Sequence, residues 1–282
     1  MRHFLRCTPP GGSATAGAGL SAERRAYLRQ IRRQERQITV CRAGVLIGFL
    51  LLWELAARLG WIDSFIMSSP SRILETFLSL RDNQILMHFS VTLYETLTGF
   101  VIGAFGGLLL AILLWQSDLV SRILEPYLVV LNSLPKIALG PVIIIWVGAG
   151  TRAIVVMAVA ISMIVTVLEM LEGFRSTDPE LIRMAETFGA SRGQLFRKIV
   201  FPANIPVLFN SLKINIGLSL VGVIAGEFLV SKAGLGYLIV YGGQVFQLDL
   251  VMTGVIILAL MAVGMYGCIT LVERRVLRGR RH

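Results

Sequence analysis

Long apolar runs alternate with short polar segments along most of the chain. The third run is expected to be broken by Pro126, Pro135 and Pro141, since a membrane helix tolerates prolines where neighbouring groups satisfy the freed carbonyls. The pattern predicts an all-α fold, a polytopic membrane bundle of six transmembrane helices. Each run is long enough to cross a hydrocarbon layer of about 30 Å, and the six are residues 43–59, 90–115, 121–147, 151–171, 207–230 and 249–272.

The same pattern divides the chain into three parts. Residues 1–42 are a basic tail, predicted to be partly disordered because its start is rich in Pro, Gly, Ala, Ser and Thr, with a basic helix over residues 21–42 along the inner leaflet. Residues 43–272 are the transmembrane domain, interrupted by a polar loop at residues 173–206. Residues 273–282 are a second basic tail.

Positive charge is distributed unevenly between the two sides of the predicted bundle. Of 27 Lys and Arg residues, 20 lie in the two tails, the loop after the second run and the loop at residues 173–206, whereas 5 lie in the loops on the other side. Cytoplasmic loops carry such an excess of Lys and Arg. We therefore expect a multi-pass protein with both termini and the loop at residues 173–206 in the cytoplasm.

The loop at residues 178–206 carries signals for two short helices. Asp178 is placed to cap the first helix, with Pro179 in its first turn and Gly189 at its end. Ser191 and Gln194 have the spacing of a capping box that starts the second helix. Both helices have an apolar face, which predicts a docking surface for another protein: Leu181, Ile182, Met184, Ala185 and Phe188 in the first helix, and Leu195, Phe196, Ile199 and Val200 in the second.

The loop also resembles a known motif. Gly189, nine further residues and then Ile199, Val200, Phe201 and Pro202 are similar to the "EAA…G…I-x-L-P" loop of the permeases of binding-protein-dependent ABC importers. The resemblance extends over residues 48–272 and is strongest to the taurine, aliphatic sulfonate, nitrate and thiamine-precursor branch. Phe201 stands where leucine is usual, and the EAA triplet aligns with residues 183–185, so that Arg183 replaces the usual glutamate and Glu186 follows the triplet.

The resemblance implies a subunit of an ATP-driven importer for a small solute, with an organic anion such as a sulfonate or a taurine-like compound as the expected class. The expected partners are an ABC ATPase subunit dimer, an extracytoplasmic substrate-binding protein and a second copy of this permease as a homodimer, in the bilayer of a bacterial cytoplasmic (inner) membrane, with no nucleic acid. No cofactor is expected in this chain, because ATP and Mg would be bound by the ATPase. The residues expected to couple to the ATPase are Arg183, Ala185, Glu186, Phe188, Gly189, Ala190, Ile199 and Pro202.

Polar residues inside the apolar runs are the candidates for a translocation pathway, because polar groups in a bilayer are costly. Lys136 has two readings that the sequence leaves open: a cationic site for an anion, or a side chain whose ammonium extends to the interface. Lys213 is expected to extend in the same way. The candidate set is Asn132, Ser133, Pro135, Lys136, Ser162, Asn215 and Glu227.

Two glycine patterns carry further expectations. Gly99, Gly103, Gly107 and Ala111 fall four residues apart, which predicts close helix packing within the bundle. Glu227 matches the glutamate of the family's "A-E" segment, which implies one of two roles: stabilising the turn at residues 231–244 or contacting a docking partner. The glycines of the "G-L-G" at residues 234–236 are expected to allow a re-entrant bend.

Enzyme chemistry has no support in the sequence. It contains no G-x-x-x-x-G-K-[ST] loop, no Ser/His/Asp or Cys/His arrangement and no two carboxylates on one helix face, and its three cysteines and three histidines are scattered. Two rivals remain as alternatives. A self-sufficient secondary transporter or channel predicts inverted repeats and more intramembrane acids. A membrane-anchored nucleic-acid-binding protein would act through the Arg-rich tail.

Overall fold

The computed structural model describes residues 22–61, 68–79 and 85–278, so the predictions for residues 1–21 and for the last residues of the C-terminal tail lie outside the described residues. Every regular element in the described part is helical, as predicted. The helices are α1 Ala22–Arg58, α2 Pro70–Ser79, α3 Ile85–Gln116, α4 Asp118–Ser133, a 3-10 turn Lys136–Leu139, α5 Gly140–Val147, α6 Thr151–Arg175, α7 Pro179–Thr187, α8 Arg192–Leu195, a π-helical turn Phe196–Val200, α9 Phe201–Ala203, α10 Ile205–Val230, α11 Leu235–Gln244 and α12 Leu248–Arg278.

The chain divides into two compact units, the first ending at Ala56 and the second beginning at Ala57. The first unit holds nearly all of α1, which runs without a break across residues 42 and 43. The sequence pattern predicted a basic helix that ends at residue 42 and a separate first span that begins at residue 43. Instead, basic and apolar residues share one helix, and its membrane-compatible part begins at Arg36.

The centre of the second unit is the contact between α3 and α6, with α10 packed against both. A Cβ atom added to Gly99 would lie 2.6 Å from Ala158 Cβ, and one added to Gly107 would lie 2.6 Å from Thr166 Cβ. Gly103 faces Ser162 just as closely. The predicted small-residue stripe is confirmed, and it lets two helix backbones approach where lipid provides no hydrophobic driving force.

The third apolar run is bent by 86° between Asp118–Ser133 and Lys136–Val147. Leu134 leaves the helical region (ψ 140°) because the ring of Pro135 disfavours that region for the preceding residue. Pro126 lies inside α4 without interrupting it, and Pro141 lies in the first turn of α5, where a missing N–H costs little. Only one of the three prolines therefore makes the predicted break.

Large apolar side chains cover the outer surface of the bundle. On α3, Phe105 is 70% exposed, and on α5, Ile145 and Trp146 are each 80% exposed. A surface of this kind is stable in lipid and not in water. Among the described residues, five helices are long and apolar enough to cross a membrane, or six when the bent pair is one span. The predicted number of six spans is thus confirmed when the bent pair is counted as the third span.

The segment after α10 turns at Gly234, as expected from its glycines, and then continues as a helix, α11, which was not predicted. The first amides of a helix have no partner within it, and here other helices supply the acceptors. The backbone N–H groups of residues 234, 235 and 236 donate to His88 Nδ1 (2.9 Å), Thr92 Oγ1 (2.7 Å) and Glu227 Oε2 (2.5 Å). α11 is thereby fixed to α3 and α10 at the end of the bundle opposite the loop of α7 and α8.

Candidate functional site

The loop between α6 and α10 forms the two helices predicted for it. Asp178 Oδ1 accepts a hydrogen bond from Glu180 N at 2.9 Å and caps α7. Gly189 follows with φ +77°, a left-handed conformation that glycine adopts without strain. Ser191 and Gln194 form the predicted capping box at the start of α8. These local predictions are confirmed.

The inner side of the loop is packed against the ends of α3 and α6. The ring of Phe196 lies 5.2 Å from that of Trp115 and 5.2 Å from that of Phe174 (centroid distances), and Val200 is fully buried in the same cluster. Phe196 begins the π-helical turn Phe196–Val200, which the sequence did not predict. This packing makes the second helix of the loop continuous with the membrane bundle.

The outer side of the loop keeps a group of apolar side chains exposed. Leu181 is 44% exposed, Met184 53% and Phe188 83%. Ile182 and Ala185, which the sequence placed on the same face, are half-buried on the side nearer the bundle. One part of the apolar face of α7 therefore lies towards the bundle, and the other part is exposed.

Polar contacts hold the loop to neighbouring helices. Arg192 binds the turn between α3 and α4, and Asn204 Nδ2 donates to Thr177 Oγ1 at 2.8 Å, which joins the two ends of the loop. Nearby, Arg175 donates to Glu125 and Ser121 of α4, at 2.9 Å each. The ends of α3, α4 and α6 and the loop thus form one connected region.

The coupling residues proposed from the sequence are all on this loop. Half of them are exposed: Arg183, Glu186, Phe188 and Gly189. The others are half-buried: Ala185, Ala190, Ile199 and Pro202. Their contact with an ATPase stays a prediction.

The candidate pathway residues fall into two groups in the single chain. Asn132, Ser133, Pro135 and Lys136 lie together at the bend after α4. Lys136 Nζ donates to Asn132 O at 2.8 Å and to Asn132 Oδ1 at 3.3 Å, so the ammonium binds the last turn of α4. A cation at that position is favourable because the end of a helix carries partial negative charge.

The other three candidates are buried between helices. Ser162 Oγ donates to Ala158 O at 2.9 Å within α6. Asn215 Nδ2 donates to Thr166 Oγ1 at 2.6 Å and joins α10 to α6. Since these side chains and Glu227 are at most 1% exposed, their observed contacts are with the bundle itself. A role in passage stays a prediction for all seven candidates.

Glu227 explains the glycines that follow it. A Cβ atom at Gly234 would meet the Glu227 carboxyl group, and one at Gly236 would lie 2.7 Å from Glu227 Oε2. Gly234 also has φ +119°, which other residues rarely adopt. The "G-L-G" therefore makes room for a carboxylate as well as turning the chain.

Three charged residues make contacts that the sequence did not predict. Lys213 was expected to extend to the interface, but its Nζ binds Glu273 Oε2 on α12 at 2.6 Å and lies over the ring of Tyr266. No partner was predicted for Arg192, which binds Gln116 O and Asp118. Glu95 was not considered, although it is the one charged residue within residues 90–115. It lies one helical turn after Thr92, whose hydroxyl binds Glu227, so two carboxyl groups from different helices are neighbours. A search for two carboxylates on one helix face could not find this pair.

Comparisons with known proteins agree with this architecture. Residues 103–278 match the family described as "binding-protein-dependent transport system inner membrane component". The chain is 30% identical over 223 residues to a probable ABC transporter permease protein of Haemophilus influenzae, covering 79% of this chain and 91% of that protein. It is 31% identical over 234 residues to the riboflavin transport system permease protein RibX of Chloroflexus aurantiacus, covering 83% and 87%.

A further relative is the putative aliphatic sulfonates transport permease protein SsuC of Bacillus subtilis, 26% identical over 246 residues, covering 85% of this chain and 89% of that protein. The fold is similar to a chain of a bacterial ABC transporter involved in the import of the acidic polysaccharide alginate. That match has a TM-score of 0.61 at 15% identity and covers 89% of this chain and 99% of that chain. With its fold, its loop and most of its length matched, the chain belongs to the inner membrane components of binding-protein-dependent ABC transport systems.

Proposed function

We propose that this permease receives the movement of a separate ATPase subunit through the exposed face of α7. The observation that carries the proposal is Phe188, which is 83% exposed at the end of a helix whose other side lies against the bundle. Exposed apolar groups outside the membrane mark protein contact sites when they are contiguous. Leu181 and Met184 extend the same face.

The distribution of charge supports a cytoplasmic position for this face. The loop at residues 173–206 and both tails hold most of the 27 Lys and Arg residues. With the loop in the cytoplasm, the opposite end of the bundle, where α11 begins, faces the binding protein that delivers the solute. A second copy of the permease completes the assembly in this proposal.

Contacts on the inner side of the loop provide the path for the movement. A displacement of α7 and α8 is passed to α3 and α6 through Phe196, which packs against Trp115 and Phe174. Arg192 passes it to the turn before α4. Rigid helices that shift against one another in this way are a known means of switching access between two sides.

The solute is proposed to be a small organic anion of the sulfonate or taurine type. One relative, SsuC, is named for aliphatic sulfonates, and Lys136 offers a positive charge at the bend of the third span. RibX, at similar identity, is named for riboflavin, so a flavin is the alternative solute to be tested. The solute that remains bound to the purified cognate binding protein distinguishes the two, since a flavin there contradicts the anion proposal.

The docking proposal is tested with Phe188→Asp in the assembled transporter. We expect the ATPase subunit to be lost from the detergent-purified complex while the permease remains folded, because Phe188 contributes little to the core of the chain. The matched control is Phe246→Asp, which changes the same residue type at 70% exposure near the opposite end of the bundle. Full retention of the ATPase by Phe188→Asp, or equal loss in both variants, contradicts the proposal.

A further inference from the structure

Two carboxyl groups from different helices meet inside the bundle. Glu95 of α3 and Glu227 of α10 are each 1% exposed. Glu95 lies one helical turn after Thr92, whose hydroxyl donates to Glu227 at 2.6 Å, so the two carboxyl groups are neighbours between the same two helices. Two ionised carboxylates have no hydrogen to share and repel each other. One bound proton removes this repulsion and allows a hydrogen bond between the two groups.

The surrounding donors indicate which carboxyl group carries that proton. Glu227 Oε1 accepts from Thr92 Oγ1 at 2.6 Å, and Glu227 Oε2 accepts from Gly236 N at 2.5 Å. Glu227 also faces the start of α11, where the helix dipole favours negative charge. By contrast, Glu95 Oε2 is buried and receives no hydrogen bond from the described residues. Because Glu227 already accepts two hydrogen bonds and Glu95 has an oxygen without a partner, we infer that Glu95 carries the proton.

Among the described residues, no ion pair joins a positive side chain to either carboxyl group. The pairs Arg72–Asp249, Arg175–Glu125, Arg192–Asp118 and Lys213–Glu273 involve other acids. From α6, Thr151 lies near Glu95. The other titratable neighbours are His88, whose Nδ1 accepts from Gly234 N, and Tyr237, whose ring stacks on His88.

We propose that Glu95 and Glu227 form a proton-binding site that holds α3 against α10 at the start of α11. Loss of the proton at alkaline pH leaves two negative charges in contact in a buried position. The repulsion weakens the contact between α3 and α10 and the anchoring of α11 through Gly236 N. The proposal goes beyond the transport function, because neither the ATPase nor the solute takes part in it.

The test is thermal unfolding of the full-length permease in its purified complex between about pH 6 and about pH 10. We expect the Tm of the wild type to fall by at least about 3 °C towards the alkaline end. Glu95→Gln keeps a hydrogen-bond donor that does not titrate, so its Tm stays level over the alkaline part of the range. Glu227→Gln replaces one acceptor by an NH₂ group and is destabilised at every pH, because Gly236 N and Thr92 both need acceptors.

Glu169→Gln is the matched control, since Glu169 is an acid of α6 that makes no contact with either carboxyl group, and its pH profile should follow the wild type. Titration of His88 changes wild type and Glu95→Gln alike, so the difference between them isolates the pair. An infrared carboxylic-acid band present in the wild type and absent in Glu95→Gln gives a second measurement. The proposal is overturned if Glu95→Gln keeps the alkaline fall in Tm, if Glu227→Gln is as stable as Glu95→Gln, or if that band is missing from the wild type.

Discussion

Arg192 and Asp118 join the loop of α7 and α8 to the start of α4. Arg192 Nη2 donates to Asp118 Oδ2 at 2.8 Å, and Arg192 Nη1 donates to Gln116 O, the last residue of α3, at 2.8 Å. One guanidinium group therefore holds the turn between two helices through a planar fork of donors. The contact lies beside the packed ring of Phe196, so the second helix of the loop is fixed to the bundle by both a polar and an aromatic contact.

Replacing Arg192 tests whether this contact transmits movement. We expect Arg192→Ala to lower solute uptake by roughly two- to thirtyfold, the range for a coupling free energy of about 0.5–2 kcal/mol. Stability should change by at most about 1 kcal/mol, because both side chains are largely exposed to solvent. Uptake and ATP hydrolysis in proteoliposomes provide the measurement. Arg197→Ala, an exposed cation on the same segment, is the control and should transport normally; equal uptake in the two variants rules out a specific role for Arg192.

Gly189 tests the geometry between the two short helices. Its φ of +77° costs other residues about 1–2 kcal/mol, whereas nothing lies within 4 Å of an added Cβ atom, so the cost comes from the backbone alone. We expect Gly189→Arg to hydrolyse ATP without matching transport, because the turn between α7 and α8 changes. Asn adopts this conformation more readily, and Gly189→Asn should remain coupled. A normal ratio of transport to hydrolysis in Gly189→Arg would count against this interpretation.

Gly107 tests the contact between α3 and α6. A methyl group there would lie 2.6 Å from Thr166 Cβ and 2.8 Å from Met163 O. Because the second neighbour is backbone, it cannot move aside easily, and Gly107→Ala should cost about 1–3 kcal/mol of stability. The neighbouring variant Gly106→Ala meets only the flexible end of Met163, with the nearest atom at 3.5 Å, and should unfold like the wild type. Thermal unfolding in detergent compares the two, and equal Tm values would show that α3 and α6 are less tightly packed.

Lys136 tests the proposed path for an anion. Lys136→Ala removes the positive charge at the bend of the third span and also the contact with Asn132 O. We expect lower uptake with the ATPase still bound, and partial recovery in Lys136→Arg, which keeps the charge. Unchanged uptake in Lys136→Ala would show that the ammonium group only binds the last turn of α4 and takes no part in solute passage.

Local features of the fold were readable from the sequence because their partners are close in the chain. Asp178 caps a helix two residues ahead, and Ser191 and Gln194 cap each other over three residues. The break at Pro135 follows from the proline itself, although its angle of 86° depends on packing that no local pattern records. The stripe of Gly99, Gly103 and Gly107 was also predictable, because small residues four apart lie on one face of a helix. The spacing does not identify the helix that packs against this face.

Contacts between distant residues could not be read in the same way. Thr92 and Glu227 are 135 positions apart, and Lys213 and Glu273 are 60 apart. Periodicity shows that Glu95 lies in an apolar run, which marks it as costly and therefore worth attention. It does not show that the acid of another helix lies next to it. That pairing depends on how α3 and α10 are arranged around α6.

The anchoring of α11 has a consequence for the synthesis of the protein. The N–H groups of residues 234 and 235 bind side chains that lie 146 and 143 positions earlier in the chain. Until α3 lies beside this segment, these two groups lack the side chains that accept their hydrogen bonds, and unpaired amides are costly in lipid. The start of α11 can therefore dock only after α3 has been inserted, which sets an order for the assembly of the bundle.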